Sequence, residues 1–191
     1  RVVLDDEGKN LVLRKIAGEC EKDLKVFKGN LKKQGYISEV KSVLSEFAQY
    51  GVDFERLDDF MKEVPPESYL HYKLDDIRTI YEKFEEYLSE KYITKEEMLD
   101  VLSDAVPYSD ILKGSVVAMD GFTGFTPVQN RLIGELFSVC EKVMITVTMD
   151  GRENPYVYEH PYQIFALGKQ MVTSLMKIAG EKKTEIEEPI C

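Results

Sequence analysis

One acidic residue, Asp120, lies at a position where a carboxylate can bind a metal ion for nucleotide hydrolysis. Asp120 ends a short apolar, β-branched run, residues 115–119, that is typical of a buried parallel strand. In nucleotide-hydrolysing folds an acid at such a strand end binds Mg²⁺, because a hard cation prefers carboxylate and water oxygens. A glutamate after that acid would activate the attacking water, but here the next residue is Gly121. The pattern is equally compatible with an acid that only ends a strand in a turn.

A second requirement of nucleotide hydrolysis, the phosphate-binding loop, is not met by this sequence. That loop has the pattern G-x-x-x-x-G-K-[ST], in which backbone N–H groups and the lysine hold the phosphates. Gly-Lys pairs occur only at residues 8–9 and 168–169, and neither is followed by Ser or Thr. We therefore predict that the chain by itself neither hydrolyses ATP nor unwinds DNA.

A local basic cluster interrupts an otherwise acidic chain. The 25 Lys and Arg residues are outnumbered by 35 Asp and Glu residues, and the net charge of −10 argues against a free-standing, electrostatically driven nucleic-acid binder. Five lysines are nevertheless concentrated in one short segment: Lys22, Lys25, Lys28, Lys32 and Lys33. They are interpreted either as a solvated helix face or as phosphate contacts, because lysine neutralises backbone charge without reading sequence.

The cysteines and histidines do not predict a metal site. Cys20, Cys140 and Cys191 lie far apart and form no CxxC pair, and neither His71 nor His160 is close to a cysteine in the sequence. Zinc and iron–sulfur sites and a disulfide framework are therefore not expected, and a reduced, cytoplasmic protein is the better interpretation. No apolar run approaches the roughly 20 residues that a membrane span needs.

The first part of the chain, which would carry the lysines, has helical patterning. Residues 1–113 show apolar side chains at three-and-four spacing, which predicts helices. One predicted helix runs through residues 13–27 and the clearest covers residues 70–88, while Thr94 and Glu97 form a capping box at another helix start. We predict an all-α lobe over residues 1–113.

The second part, which would position Asp120, has the pattern of a partial α/β domain over residues 114–191. The run 115–119 is followed by a helix that opens at Pro127 and by a second β-branched run, residues 143–148. This order predicts a βαβ unit with parallel strands, and a last helix is predicted over residues 162–179. The fold class is therefore α/β and predominantly helical, with an all-α lobe followed by part of a parallel sheet.

The loop after Asp120 resembles a known helicase motif. The sequence Val-Ala-Met-Asp-Gly-Phe-Thr-Gly-Phe-Thr-Pro-Val-Gln is similar to the region around the Mg²⁺ motif of superfamily-1 DNA helicases of the UvrD type, where the strand ends in Asp-Glu-Phe-Gln-Asp. Three positions match: Asp120, Phe122 and Gln129. Gly121 replaces the catalytic glutamate, and Thr123 replaces the glutamine that follows the phenylalanine. This degenerate form resembles the B subunit of the bacterial AddAB helicase–nuclease, and the resemblance covers nearly the whole chain.

The resemblance implies a P-loop-NTPase-like sheet, a function and a set of partners. It implies an ATP-dependent helicase–nuclease of double-strand-break repair and recombination, in which the A subunit supplies the motor. The helicase-like part of the B subunit is implied to engage single- and double-stranded DNA through the full complex. ATP, Mg²⁺ and an iron–sulfur cluster are implied only for that complex, and this chain is expected to hold no cofactor or metal. The residues proposed as phosphate contacts are Lys25, Lys28, Lys32 and Lys33.

Two alternatives stay open at this point. The acidic charge and the long stripe over residues 70–88 could dock a partner such as the A subunit, which would make the chain a helical protein-interaction module without DNA contact. The chain could also be a fragment of an active UvrD-type helicase with its phosphate loop upstream, although Gly121 argues against this. Since the chain starts with Arg1 rather than Met, we expect it to be an internal piece of a longer polypeptide.

Overall fold

A computed structural model describes residues 1–31, 33–89 and 91–190, and only the backbone of Gln34. Within these residues the chain has seven α-helices and four short strands. It divides into two compact units, Arg1–Met98 and the residues from Leu99 onward. The predicted class, α/β and predominantly helical with small parallel sheets, is confirmed.

The first unit is built mainly of helices. Its elements are β1 (Val2–Leu4), α1 (Asp6–Cys20), α2 (Gln34–Tyr50), α3 (Phe54–Lys62), α4 (Tyr69–Leu88), β2 (Tyr92–Thr94) and the start of α5 (Lys95–Ala105). Helices α1, α3 and α4 each start after a residue whose side chain accepts a hydrogen bond from a backbone N–H three positions on: Asp5, Asp53 and Ser68. Gly51 ends α2 in the left-handed conformation, with φ +63°.

The core of the first unit consists of apolar stripes from α1, α2 and α4, with further residues from the segment between α1 and α2. Each helix contributes side chains that are almost fully buried, among them Leu13, Ile16, Ile37 and Ile80. A smaller cluster of Leu57, Val64 and Leu74 packs α3 against α4. The long stripe predicted over residues 70–88 is therefore used inside the unit from Leu74 onward.

Two features of the first unit differ from the sequence prediction. The predicted helix over residues 13–27 stops at Cys20, and the residues that follow form turns. The lobe is also not entirely helical, because β1 pairs in parallel with β2, with Val2 opposite Tyr92 and Leu4 opposite Thr94. The apolar spacing correctly indicated buried side chains, since Phe27 is buried, but residues 21–27 are not helical.

The second unit contains the predicted βαβ arrangement. After α5 come a single 3₁₀ turn (Val106–Tyr108), β3 (Val116–Met119), α6 (Pro127–Val139), β4 (Lys142–Ile145) and α7 (Ala166–Lys182). The strands β3 and β4 are parallel, with Val116 opposite Lys142 and Met119 opposite Ile145. The last helix starts and ends a few residues later than predicted, at Ala166 and Lys182, where left-handed Phe165 and Lys183 flank it.

The prediction that the first of these strands is buried is wrong for this chain. Side chains along β3 and β4 alternate between exposed and half-buried, and Val116 and Met144 on one face are 57% and 44% exposed. The sheet has two strands among the described residues, and one of its faces is exposed. No helix in the described part of the chain is long and apolar enough to cross a membrane.

Candidate functional site

The candidate site of the second unit lies at the carboxyl edge of the two-stranded sheet. Asp120 directly follows β3 and Thr146 directly follows β4, and the strand register places these two residues side by side. The backbone N–H of Thr146 donates to the carbonyl of Met119 at 3.0 Å, which continues the ladder. The Thr146 hydroxyl then donates to Oδ1 of Asp120. The carboxylate is exposed and is oriented by its neighbour.

Gly121 gives the loop after Asp120 a backbone that other residues avoid. Its φ is +79°, in the left-handed region, and a Cβ built on it would meet nothing within 4 Å. A Cβ at this position would therefore not collide with neighbouring atoms, and the backbone conformation is what restricts the choice of residue. A residue with a side chain would be strained there because its Cβ crowds the carbonyl oxygen.

The loop that follows presents an aromatic pair. The ring centroids of Phe122 and Phe125 are 5.0 Å apart with an interplanar angle of 36°, a spacing that stabilises aromatic pairs. Phe122 is 41% exposed, and Thr123 beside it is exposed as well. An exposed ring on a loop of this kind has a face that can stack on a nucleobase.

Gln129, which matches the helicase pattern, has a structural partner in this chain. Thr126 and Gln129 form a capping box at the start of α6, with Pro127 at the first helical position. The Thr126 N–H donates to Oε1 of Gln129 at 2.8 Å, and the Gln129 N–H donates to Oγ1 of Thr126 at 3.3 Å. The side-chain oxygen of Gln129 therefore helps to start the helix.

The described residues do not form a complete metal or cluster site. Among the described residues no group of three or more His, Cys, Asp or Glu side chains is arranged to hold a metal ion. Cys20 is buried and its thiol donates to the Ile16 carbonyl at 2.9 Å, and burial raises the pKa of this thiol, which disfavours the thiolate that an iron–sulfur cluster requires. Cys140 lies near the hydroxyl of Ser115, and Cys191 lies outside the described residues.

The described lysines of the basic cluster, Lys22, Lys25, Lys28 and Lys33, lie between α1 and α2 and not on a helix. We call residues 21–31 together with Lys33 the lysine loop. Lys25, Lys28 and Lys33 are exposed there, and Lys32 lies outside the described residues. Nζ of Lys25 is 2.8 Å from a carboxylate oxygen of Asp75.

Two side chains that hold parts of the candidate sites in place were not identified from the sequence. Asp76 on α4 is 1% exposed and accepts three backbone hydrogen bonds from the lysine loop. Its signal was an acid immediately before Ile77, inside an otherwise apolar stripe. Thr146, the partner of Asp120, directly follows β4 as Asp120 directly follows β3. The predicted second strand, residues 143–148, ran past Thr146, so the sequence did not mark it as a strand end.

A polar cluster lies inside the first unit around a small cavity. Lys9 is 2% exposed, and its Nζ is 2.6 Å from Oε2 of Glu96. Lys41, Glu85 and Glu97 line the same cavity. Burial raises the pKa of Glu85 from 4.5 to about 7, with a smaller contribution from the negative charge of Glu97.

The raised pKa predicts that Glu85→Gln stabilises the chain at alkaline pH. A proton binds Glu85 more tightly in the folded chain than in the unfolded one, so its contribution to stability is complete below about pH 4.5 and is lost as the pH rises to about 7. After allowance for solvent screening, we expect the variant to gain about 1 kcal/mol at about pH 8 and nothing at about pH 4. Urea unfolding at both pH values measures this difference.

The exposed neighbour Glu86 provides the matched control for this prediction, since it lies on the same helix and has the same charge. Glu86→Gln should change the free energy of unfolding by a similar, small amount at the two pH values. An equal pH dependence for the two variants would contradict the assignment of the effect to Glu85.

Comparison with known proteins places these features in a family. The family described as ADDB, N-terminal, matches residues 1–191. A protein of Lachnoclostridium phytofermentans, named as the B subunit of an ATP-dependent helicase/deoxyribonuclease, is 40% identical over 191 residues, which are 100% of this chain and 16% of that protein. Proteins of the same name from Thermoanaerobacter sp. and Alkaliphilus oremlandii are 33% and 30% identical, over 96% and 100% of this chain and 16% of each protein.

These relatives are much longer than the chain, which spans 16% of their length. Their shared name describes each of them as one component of a complex. The family match over the whole chain, together with 40% identity to one of these proteins, shows that the chain belongs to the AddB family, in its N-terminal part.

Proposed function

We propose that the chain is a catalytically silent, helicase-like module of one subunit of an ATP-dependent helicase/deoxyribonuclease, and that it engages DNA during double-strand-break repair and recombination. The names of the relatives support the parent activity. The observation that supports the absence of catalytic activity is Gly121 at φ +79°, directly after Asp120. At this position the loop lacks a water-activating carboxylate, and its backbone conformation disfavours one.

Asp120 has a structural role that is consistent with this proposal. Its carboxylate accepts a hydrogen bond from Thr146 and joins the ends of the two strands, which explains why an acid is useful here without a nucleotide. In the full complex, ATP hydrolysis would supply the energy for translocation, and the A subunit would supply the site that binds ATP and Mg²⁺. The sequence has no phosphate-binding loop pattern for a second such site, and the described residues include no group of three or more metal-binding side chains.

We expect the chain to have no ATPase activity and Gly121→Glu not to create any. The substitution places a carboxylate beside Asp120 but forces glutamate to adopt φ near +79°, which costs about 1–2 kcal/mol of stability. The chain also has no phosphate-binding loop to hold a nucleotide. Phosphate release from ATP, and urea unfolding of the same samples, test both parts.

Gly124→Glu is the matched control, because Gly124 lies in the same loop, has open space at its Cβ and has no left-handed φ. It should change stability less than Gly121→Glu. Phosphate release by the unaltered chain, abolished by Asp120→Ala, would show that the module is an active ATPase and would contradict the proposed absence of catalytic activity.

Engagement of DNA is supported by two exposed features, the Phe122–Phe125 pair and the lysine loop. The chain should bind a fluorescein-labelled single-stranded oligodeoxythymidine at low salt, with an affinity that falls as salt rises. Phe122→Ala should weaken binding by about fivefold to a hundredfold if the ring stacks on a base. Absence of binding at low salt would contradict DNA engagement by this chain.

A second candidate function is docking to the A subunit as a protein-interaction module. The stripe on α4 does not favour it, because that stripe packs inside the first unit. The segment between β4 and α7 does favour it, because it exposes several large apolar side chains: Tyr156, Val157, Tyr158, Tyr162 and Ile164. Hydrogen exchange of this segment with and without the A subunit tests the alternative, since docking would slow exchange there.

A further inference from the structure

The lysine loop is anchored to the core of the first unit by its apolar side chains. Leu24, Phe27 and Leu31 are 3%, 5% and 5% exposed and belong to the main core cluster. The lysines between them point outward and are exposed at Lys25 and Lys28. The loop therefore has a fixed inner side and a charged outer side.

Asp76 holds the backbone of the same loop from inside the unit. Its Oδ1 accepts from the N–H of Lys25 at 2.8 Å, and its Oδ2 accepts from the N–H groups of Val26 and Phe27, both at 2.7 Å. A buried carboxylate is costly unless it is fully hydrogen-bonded. The hydrogen bonds of this buried side chain with other described residues all go to the loop, so its role is to set the loop geometry.

The outer lysines differ in how their charges are balanced. Nζ of Lys25 is bound to Asp75 at 2.8 Å and lies 5.0 Å from the centre of the Tyr72 ring. Lys33 donates to Asn30 at 3.1 Å. The two remaining lysines, Lys22 and Lys28, are exposed, and neither forms an ion pair with another described residue.

An exposed tyrosine lies beside these cations. The ring of Tyr36 is 38% exposed, with Lys33 Nζ 6.0 Å from its centre, and its edge packs against Phe27 with centroids 6.3 Å apart. Paired bases in a duplex do not offer a face to such a ring, whereas the bases of a single strand do.

We propose that Asp76 is a positioning residue for a phosphate-binding loop, in which Lys22 and Lys28 supply the ammonium groups that contact the backbone of single-stranded DNA. This inference rests on the proposed engagement of DNA and names the site that performs it. Lys25 contributes less than Lys22 or Lys28, because Asp75 already balances its charge. Asp75 therefore limits the positive charge that the loop presents.

The first test compares single lysine variants of the 191-residue chain in binding to labelled single-stranded oligodeoxythymidine over a salt series. Lys22→Gln and Lys28→Gln should each weaken binding by about threefold to tenfold and reduce the slope of log affinity against log salt by about 0.7. Lys25→Gln should have a smaller effect. Lys177→Gln, at an exposed lysine of the second unit, is the matched control and should leave affinity and slope unchanged.

The second test breaks the ion pair between Lys25 and Asp75. Asp75→Asn should increase affinity by about threefold and raise the salt slope, because Lys25 then becomes available to a phosphate. Asp59→Asn removes the same charge and releases Lys62 from a similar pair on α3, outside the lysine loop. It serves as the control for a general change in net charge, and equal gains from the two variants would overturn the role given to Asp75.

The third test separates positioning from stability. Asp76→Asn keeps every lysine but replaces a full acceptor by an amide, so the amides of Lys25, Val26 and Phe27 should exchange faster with solvent. At a temperature where circular dichroism shows the variant to be folded, its affinity should fall by about threefold or more. Faster exchange with unchanged affinity would overturn the positioning role.

The outcomes distinguish this inference from the proposed function. If the unaltered chain binds single-stranded DNA but the Lys22 and Lys28 variants bind equally well, DNA engagement stands and the lysine loop is not its site. If the unaltered chain does not bind at low salt, both proposals fail. Even if Asp76→Asn does not fold, the lysine and Asp75 variants still decide whether the loop binds phosphate.

Discussion

Replacing Asp76 by alanine is expected to lower the free energy of unfolding of the first unit by about 3 kcal/mol. The substitution removes the acceptor of three backbone N–H groups, those of Lys25, Val26 and Phe27. The N–H of Phe27 is buried and cannot turn to water without opening the loop. Because Leu24 and Phe27 are core residues, opening the loop would also expose apolar surface.

The neighbouring residue gives the control for this prediction. Asp75 is half-exposed and binds Nζ of Lys25 at the surface, so Asp75→Ala should cost far less than Asp76→Ala. Urea unfolding followed by far-ultraviolet circular dichroism measures both variants. If the two substitutions destabilised the unit equally, the backbone hydrogen bonds of Asp76 would not be a major source of its stability.

Asp76 also shows why the lysine loop could not be predicted from the sequence. The apolar spacing from Leu13 to Phe27 continues without a break, which predicts one helix. The chain leaves the helix after Cys20 because an acceptor about 50 residues away captures three successive N–H groups that a helix would bond internally. A contact of that separation leaves no local signal at residues 21–27.

Features whose causes are local were predictable. The capping box of Thr94 and Glu97 is confirmed, with the Thr94 N–H 2.7 Å from Oε2 of Glu97 and the Glu97 N–H 3.2 Å from Oγ1 of Thr94. The parallel pairing of β3 and β4 is confirmed too, because spacing and β-branched composition define a βαβ unit within about 30 residues. The pairing of β1 with β2 was missed, since it joins two three-residue strands about 90 residues apart.

The candidate site at Asp120 has some features with local causes and others that depend on distant parts of the chain. Its place after a strand follows from the β-branched run before it, and the left-handed φ of Gly121 follows from the freedom of glycine. The exposure of the strand does not follow from its composition, because the amount of packing on a sheet depends on neighbours that the sequence of one strand does not specify. In this chain the sheet has two strands among the described residues, and the side chains on one face are exposed.

The second large effect is expected from Lys9→Met, which should destabilise the first unit by about 3 kcal/mol at neutral pH. Lys9 on α1 is 2% exposed and donates to Oε2 of Glu96 on α5 and, at 3.3 Å, to the hydroxyl of Ser45 on α2. Burial by itself would raise the pKa of Glu96, but its hydrogen bond and charge interaction with Lys9 bring that pKa below its usual value. Methionine fills similar space but leaves the Glu96 carboxylate buried without its cation.

The sign of the pH dependence distinguishes a lost ion pair from lost packing. In the unaltered chain the low pKa of Glu96 stabilises the fold above about pH 4.5, and this contribution is lost as the pH falls. In Lys9→Met burial would dominate and raise the pKa of Glu96, so the cost of the substitution should grow from about pH 4 to about pH 7.

Lys9→Met combined with Glu96→Gln removes the unpaired charge and should recover much of the stability at neutral pH. Lys15→Met, at an exposed lysine of α1, should cost little at any pH. A loss in Lys9→Met that is independent of pH and is not reduced by Glu96→Gln would mean that Lys9 contributes through packing alone.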